Sequence, residues 1–285
     1  RAIQVAVAGG HNLIMVGPPG GGKTLLASCV PSILPAMDDS EALEVTCIQS
    51  ITGTVSPAGL ARKRPFRRPH HTVSPAGMLG GGNPPMPGEV TLAHRGVLYL
   101  DEFCEFRPQV IESLRGPMED GFIIVSRSSG RVSFPSRFML IASANPCPCG
   151  YLGDPERACV CQGASLMRYR RRLAGPVIDR IDIQIEVPRV RRIDLERPVA
   201  FLTSDSVRHE IEHARERQSE RFCRNGFTNS AMGPRHIESI ARLAPAARRL
   251  LLDAVDQMAL SARAYHKLIR VSRTIADLDG VDSVG

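Results

Sequence analysis

Gly17-Pro18-Pro19-Gly20-Gly21-Gly22-Lys23-Thr24 decides the reading of this 285-residue chain. It fills every fixed position of the phosphate loop G-x-x-x-x-G-K-[ST]. Glycines let backbone N–H groups curl around phosphate oxygens without a Cβ in the way. The helix that follows aims its positive end at the same anion. Lys23 places a compact charge at the β/γ-phosphates, and Thr24 offers a hydroxyl to Mg²⁺. Of the 36 lysines and arginines, only Lys23, Lys63 and Lys267 are lysine. A chain that uses arginine almost everywhere keeps an ammonium here, where a planar guanidinium is no substitute. The flanks agree: Asn12-Leu13-Ile14-Met15-Val16 reads as a buried strand, and Thr24 to Val30 as a helix stopped near Pro31.

The chain continues this pattern outward. Strands are expected at 12–16, Val97-Leu98-Tyr99-Leu100, Phe138-Met139-Leu140-Ile141-Ala142 and Ile183-Gln184-Ile185-Glu186-Val187, with helices between them. Such alternation gives an α/β fold with a parallel sheet covered on both faces. Beyond Pro188 the strand signals fade, and helical periodicity runs through 205–223, 234–243, 245–262 and 264–277. We expect a nucleotide-binding core over 1–190 and a small helical domain over 191–285. Two insertions interrupt the core. Residues 53–88 are rich in Gly and Pro and strongly basic, and 122–134 read as a β-hairpin with Arg127 and Arg131 near its tip. The start at Arg1, on what reads as a helix end, suggests a piece of a longer protein.

Composition narrows the partners. A net charge of +7 suits a polyanion, although an arginine-rich source composition would raise it equally. Tryptophan is absent and aromatics are 5%, which argues against base-stacking platforms. No apolar run approaches the ~18 residues of a membrane span and no signal peptide is visible, so a cytoplasmic protein with no membrane partner is expected. Eight cysteines in such a chain suit metal binding better than disulfides.

The chemistry collects at strand ends. Asp101 and Glu102 follow an apolar strand: Asp101 to hold Mg²⁺ with Thr24, Glu102 to orient or deprotonate the attacking water. Asn145, after the 138–142 strand, either contacts the γ-phosphate or closes an Asx turn before Pro146. Arg180, between Asp179 and Asp182, is either a structural salt bridge or an arginine finger supplied to a neighbouring subunit. Arg263, opening a helix in the second domain, could reach back to the phosphates. Cys147, Cys149, Cys159 and Cys161 could close a tetrahedral Zn²⁺ site, or be four reduced structural thiols. C-x-C pairs are tighter than the usual C-x₂-C. Arg62, Lys63, Arg64, Arg67 and Arg68 form a basic run without one acid, a candidate DNA contact together with Arg127 and Arg131. Arg168-Tyr169-Arg170-Arg171-Arg172 reads first as a solvated face.

Several stretches together resemble the ComM (YifB) group of magnesium-chelatase-like AAA+ ATPases. They are Gly9-Gly10-His11-Asn12-Leu13 leading into the phosphate loop, Arg64-Pro65-Phe66-Arg67-Arg68-Pro69-His70-His71-Thr72, Leu92-Ala93-His94-Arg95-Gly96 running into Asp101-Glu102, Asn145-Pro146-Cys147-Pro148-Cys149-Gly150, Gly175-Pro176-Val177-Ile178-Asp179-Arg180-Ile181-Asp182, and Leu260-Ser261-Ala262-Arg263-Ala264-Tyr265. The resemblance implies an AAA+ core with a helical lid, hexamers with ATP between subunits, and pore loops that grip branched or single-stranded DNA, as in a branch-migration helicase. It makes Asn145 the sensor-one residue, Arg180 the trans finger and Arg263 the sensor-two arginine. The family's N-terminal protease-like domain lies outside this sequence, and the last lid helix reads as cut after Asp282. A chelatase-type subunit, coupling ATP to a protein partner or to metal insertion, is the competing expectation.

Overall fold

The structure is a computed structural model and describes all residues except 56, 58, 128, 129, 191–202, 224 and 225, and the side chain of Arg127. Its centre is a parallel sheet built from β1 (Leu13–Val16), β2 (Phe66–Arg67), β3 (Val97–Leu100), β6 (Met139–Ala144) and β7 (Ile183–Glu186), in the order β2-β3-β6-β1-β7. All residues of β3 and β6 are buried, as a strand covered on both faces requires. Four of the five strands are the apolar runs read from the sequence, shifted by a residue or two at their ends. The α/β core with a parallel sheet is therefore as expected.

The fifth strand is a correction. Phe66–Arg67 lies inside the Gly/Pro-rich stretch expected to interrupt the core, yet it is the sheet edge, paired in register with Val97 and Leu98. Prolines 65 and 69 bracket it, which an edge strand tolerates because one of its sides makes no ladder bonds. The Pro65 carbonyl still accepts from Val97 N–H at 2.8 Å.

Register decides where chemistry gathers. Leu100 stands opposite Ala142, and Val16 opposite Ala144. The C-terminal ends of β1, β3 and β6 therefore lie side by side, where ligands of open α/β sheets bind. A hairpin, β4 (Phe122–Arg127) and β5 (Gly130–Pro135), pairs Ile123 with Phe134 and buries both. Arg131 is exposed on it.

These elements belong to one compact unit, Leu13–Pro31 with Ala36–Val199. A second unit joins Arg1–Asn12 and Ser32–Pro35 to Ala200–Gly285. In it α1 (Ala2–Gly9), apolar and largely buried, packs on α5 (Ser204–Phe222) and α8 (Ala262–Leu278). His11 meets Thr274 across 2.8 Å. Arg273 is fully buried, bonded to Asp277 and to the carbonyls of Val281 and Asp282. Those bonds offset the cost of desolvating its charge. The helix expected over 245–262 is α7 (Pro245–Met258), stopped by Ala259 in the left-handed region. Ser261 then caps α8 by accepting Ala264 N–H. Helix α8 ends at Leu278, with its cap at Asp279.

Candidate nucleotide-binding site

Strand β1 hands over to the phosphate loop at Gly17, whose N–H donates to Ala144 O at 3.1 Å. Gly20 and Gly22 both sit at φ +78°, a region that side chains with a Cβ avoid. Lys23 opens helix α2 (Lys23–Ile33), and its side chain folds back into the loop. All three ammonium protons have acceptors: Gly17 O at 2.6 Å, Pro18 O at 2.8 Å and Asn145 Oδ1 at 3.3 Å. Burial lowers the pKa of Lys23, against the opposing pull of Asp101. The ammonium is preorganised between the loop and the end of β6, where a phosphate oxygen can replace a carbonyl as its partner.

Asp101, just past β3, faces Thr24, whose hydroxyl donates to Oδ2 at 3.1 Å. A hydroxyl and a carboxylate together are the hard oxygen donors that Mg²⁺ selects. The residues present therefore fit that ion. The other oxygen, Oδ1, accepts from Tyr99 at 2.8 Å and from Ser143. Burial pushes the Asp101 carboxyl up, but these hydrogen bonds and the charge of Arg68 outweigh it, and the pKa lies below the ordinary value. Glu102 adopts φ 54°, ψ 48° and donates its N–H to Ser143 Oγ at 3.3 Å. That turn exposes 59% of its side chain, with His71 Nδ1 at 3.7 Å.

Lys23, Thr24, Asp101, Glu102 and Asn145 thus converge as expected from the sequence. Tyr99, Ser143, Arg68 and His71 join them and were not anticipated. A hydroxyl within each of two otherwise apolar strands was the available signal for the first two. Arg68 lay in a run read as a DNA contact, and His71 lies three residues beyond it.

The arginines of the basic run each meet a carboxylate. Arg64 pairs with Glu41 at 2.6 Å, Arg67 forks onto Glu89 at 2.7 and 2.8 Å, and Arg68 binds Asp101 at 2.5 Å. Arg62 meets Asp39 at 3.1 Å in an exposed pair. The run contains no acid in the chain, but the fold brings one to each of these four arginines. Lys63 is exposed. Arg168, Arg170, Arg171 and Arg172 are an exposed face of the helix Gly163–Arg172, whose Tyr169 is buried and donates to Asn145 O at 3.0 Å.

Arg180 pairs with Glu119 and donates to Pro176 O at 2.6 Å. Its side chain is 8% exposed. Arg263 lies in the first turn of α8, exposed, in the helical unit.

The four cysteines come together. Their sulfurs all lie within 4.8 Å of one another. Cys147 is 3.3 Å from Cys149 and 3.7 Å from Cys159, and Cys149 is 3.6 Å from Cys159. Zn–S bonds of ~2.3 Å in a tetrahedron put sulfurs about 3.8 Å apart. N–H groups of Tyr151 and Val160 draw the Cys149 thiol down to about 6, whereas Cys159 and Cys161 lie above their ordinary values. The loop abuts the phosphate loop: a Cβ on Gly150 would stand 2.6 Å from Pro19 Cδ.

Comparison with known proteins agrees with this architecture. Residues 1–195 match the family described as magnesium chelatase, subunit ChlI, and residues 202–285 match its C-terminal region. The Competence protein ComM of Haemophilus influenzae is 42% identical over 286 residues, all of this chain and 55% of that protein. YifB of Escherichia coli is 40% identical over the same shares, and Rv2897c of Mycobacterium tuberculosis is 41% identical, with 56% of its length covered. The chain spans about half the length of these relatives. A phosphate loop whose lysine and threonine meet the two acids after β3, on a parallel sheet that the family matches throughout, leaves one assignment: the chain belongs to the magnesium chelatase ChlI family of AAA+ P-loop ATPases, in its ComM/YifB group.

Proposed function

We propose that this chain is the motor part of a DNA-acting ATPase that works as a hexamer, in the manner of a branch-migration helicase. The convergence of Lys23, Thr24, Asp101, Glu102 and Asn145 at adjacent strand ends carries the ATPase part. Phosphoryl transfer needs positioning and charge neutralisation more than covalent chemistry. Gly17 to Gly22 cradle the phosphates and Lys23 neutralises them. Thr24 and Asp101 would hold Mg²⁺, which would supply neutralising charge at the phosphates. Glu102, exposed beside the site, orients and deprotonates the water. Asn145 aligns it. Arg180 serves a neighbouring subunit's γ-phosphate, which requires it to leave Glu119, and Arg263 reports the phosphates to the helical unit. Cys147, Cys149, Cys159 and Cys161 would hold one structural Zn²⁺. Thiolates of this kind suit a reducing, cytoplasmic setting, and among the described residues no helix is long and apolar enough to cross a membrane.

The name of the Haemophilus relative supports a DNA substrate. So do the exposed Lys63 and Arg131, with the exposed Arg62 next to Lys63; the side chain of Arg127 lies outside the described residues. A second reading, an ATPase that drives a protein partner as a chelatase subunit does, draws support from the pairing of Arg64, Arg67 and Arg68 with carboxylates. That pairing leaves less charge for phosphates. ATP turnover measured with and without single-stranded and branched DNA separates the two. DNA should raise turnover several-fold and bind with an affinity that falls steeply with salt. Turnover indifferent to every DNA would pass the case to the protein partner.

A further inference from the structure

Within the fold, Tyr99 and Ser143 occupy Asp101 Oδ1. What Asp101 offers a cation is Oδ2. That atom has two partners, the Thr24 hydroxyl at 3.1 Å and a guanidinium nitrogen of Arg68 at 2.5 Å. The Arg68 guanidinium also lies over the Tyr99 ring, 5.6 Å from its centroid. Arg68 directly follows β2 and precedes the buried Pro69, so its backbone is set by the sheet edge. Oδ2 with Thr24 Oγ1 is the donor pair that suits Mg²⁺. A guanidinium and a dication repel each other and cannot share one carboxylate oxygen at contact distance.

We propose that Arg68 is a positioning residue that competes with Mg²⁺ for Asp101, so that loading of metal and nucleotide releases Arg68 and with it the stretch from Arg68 to His71. The inference rests on the reading of this site as one for Mg²⁺ and ATP. Before loading, Arg68 stands in for the metal's charge beside Asp101 Oδ2. On loading, it gives up its only carboxylate partner among the described residues. His71, three residues on, lies 3.7 Å from Glu102 Oε2. One segment thus touches both acids of the site, and its release also frees Glu102. Arg64 and Arg67 stay tied to Glu41 and Glu89, so the exchange is confined to the end of the strand.

The test is binding of a fluorescent ATP analogue across a Mg²⁺ titration, a readout independent of turnover. Arg68→Met keeps the aliphatic stem on Tyr99 and drops the charge; Arg68→Lys keeps the charge. We expect Arg68→Met to need several-fold less Mg²⁺ for half-maximal binding and Arg68→Lys to stay near the wild type. Binding of the metal-free analogue in EDTA should be equal in all three. A wild-type midpoint in folded Arg68→Met, or a higher one, overturns the competition; a higher midpoint would make Arg68 a phosphate contact. Arg68→Gln takes the place of the Met variant if thermal unfolding shows that variant unfolded. Wild-type protein that binds no analogue with or without Mg²⁺ overturns the ATP-site reading itself.

Discussion

Asp101 gathers four neighbours: Tyr99 and Ser143 on one oxygen, Thr24 and Arg68 on the other. Its lowered pKa keeps it an anion ready for a cation. Ser143→Ala removes one donor without a cavity of any size, at a cost of about 1 kcal/mol for a partly exposed hydrogen bond to a charged group. ATP turnover at limiting Mg²⁺ should fall roughly fivefold on that figure, with the fold intact by thermal unfolding. Unchanged turnover would show that Tyr99 alone orients the carboxylate. At this scale the sequence was legible where covalent spacing does the work. Lys23 and Thr24 adjoin the loop glycines, and Asp101 and Glu102 end an apolar run. Tyr99 reaches Asp101 along β3 itself, two residues away, and only its hydroxyl in an apolar strand marked it, whereas Arg68 and Ser143 meet Asp101 only through the pairing of β3 with β2 and β6. The same holds for the basic run, whose carboxylate partners lie 22 to 33 residues away in the chain.

Elements legible in the sequence were those with an apolar run long enough to be buried on both faces, as β1, β3 and β6 are. Strand β2 is two residues, one an arginine, and its signal is only the neighbour it pairs with. The break between α7 and α8 hides because Ala259, not glycine, takes the left-handed turn. The cysteine loop between β6 and the helix Gly163–Arg172 was legible in its ligands but not in its position against Pro19 and Asn145. That position gives zinc a consequence for the site. Protein purified without chelator should hold about one zinc per chain, and Cys147→Ser and Cys159→Ser should each lower it. Metal removal should reduce nucleotide binding, because Gly150 supports the phosphate loop and Cys147 lies two residues from Asn145. Metal-free protein with all four thiols freely titratable would dismiss the zinc site.

At the scale of the whole molecule, chain order and packing part company. Helix α1 precedes the core in sequence but packs with α5 and α8, since its apolar residues find their cover there. Periodicity marks a helix as amphipathic or buried without naming its partner. The proposed hexamer assigns Lys23 to its own subunit's site and Arg180 to its neighbour's. Lys23→Ala and Arg180→Ala should each abolish turnover alone. Mixed together they should recover part of it, because some interfaces then contain both intact residues. No recovery in proven co-assemblies would leave Arg180 as the partner of Glu119 and nothing more.

The central claim is that the two acids after β3 divide the work, Asp101 holding the metal and Glu102 acting on the water. Glu102→Gln tests it most directly, because the exposed side chain changes without disturbing Asp101, Thr24 or Lys23. ATP binding and its Mg²⁺ dependence should match the wild type, while the rate of hydrolysis in a single turnover falls at least a hundredfold, the scale of a positioned general base. Hydrolysis at the wild-type rate in that variant would contradict the account.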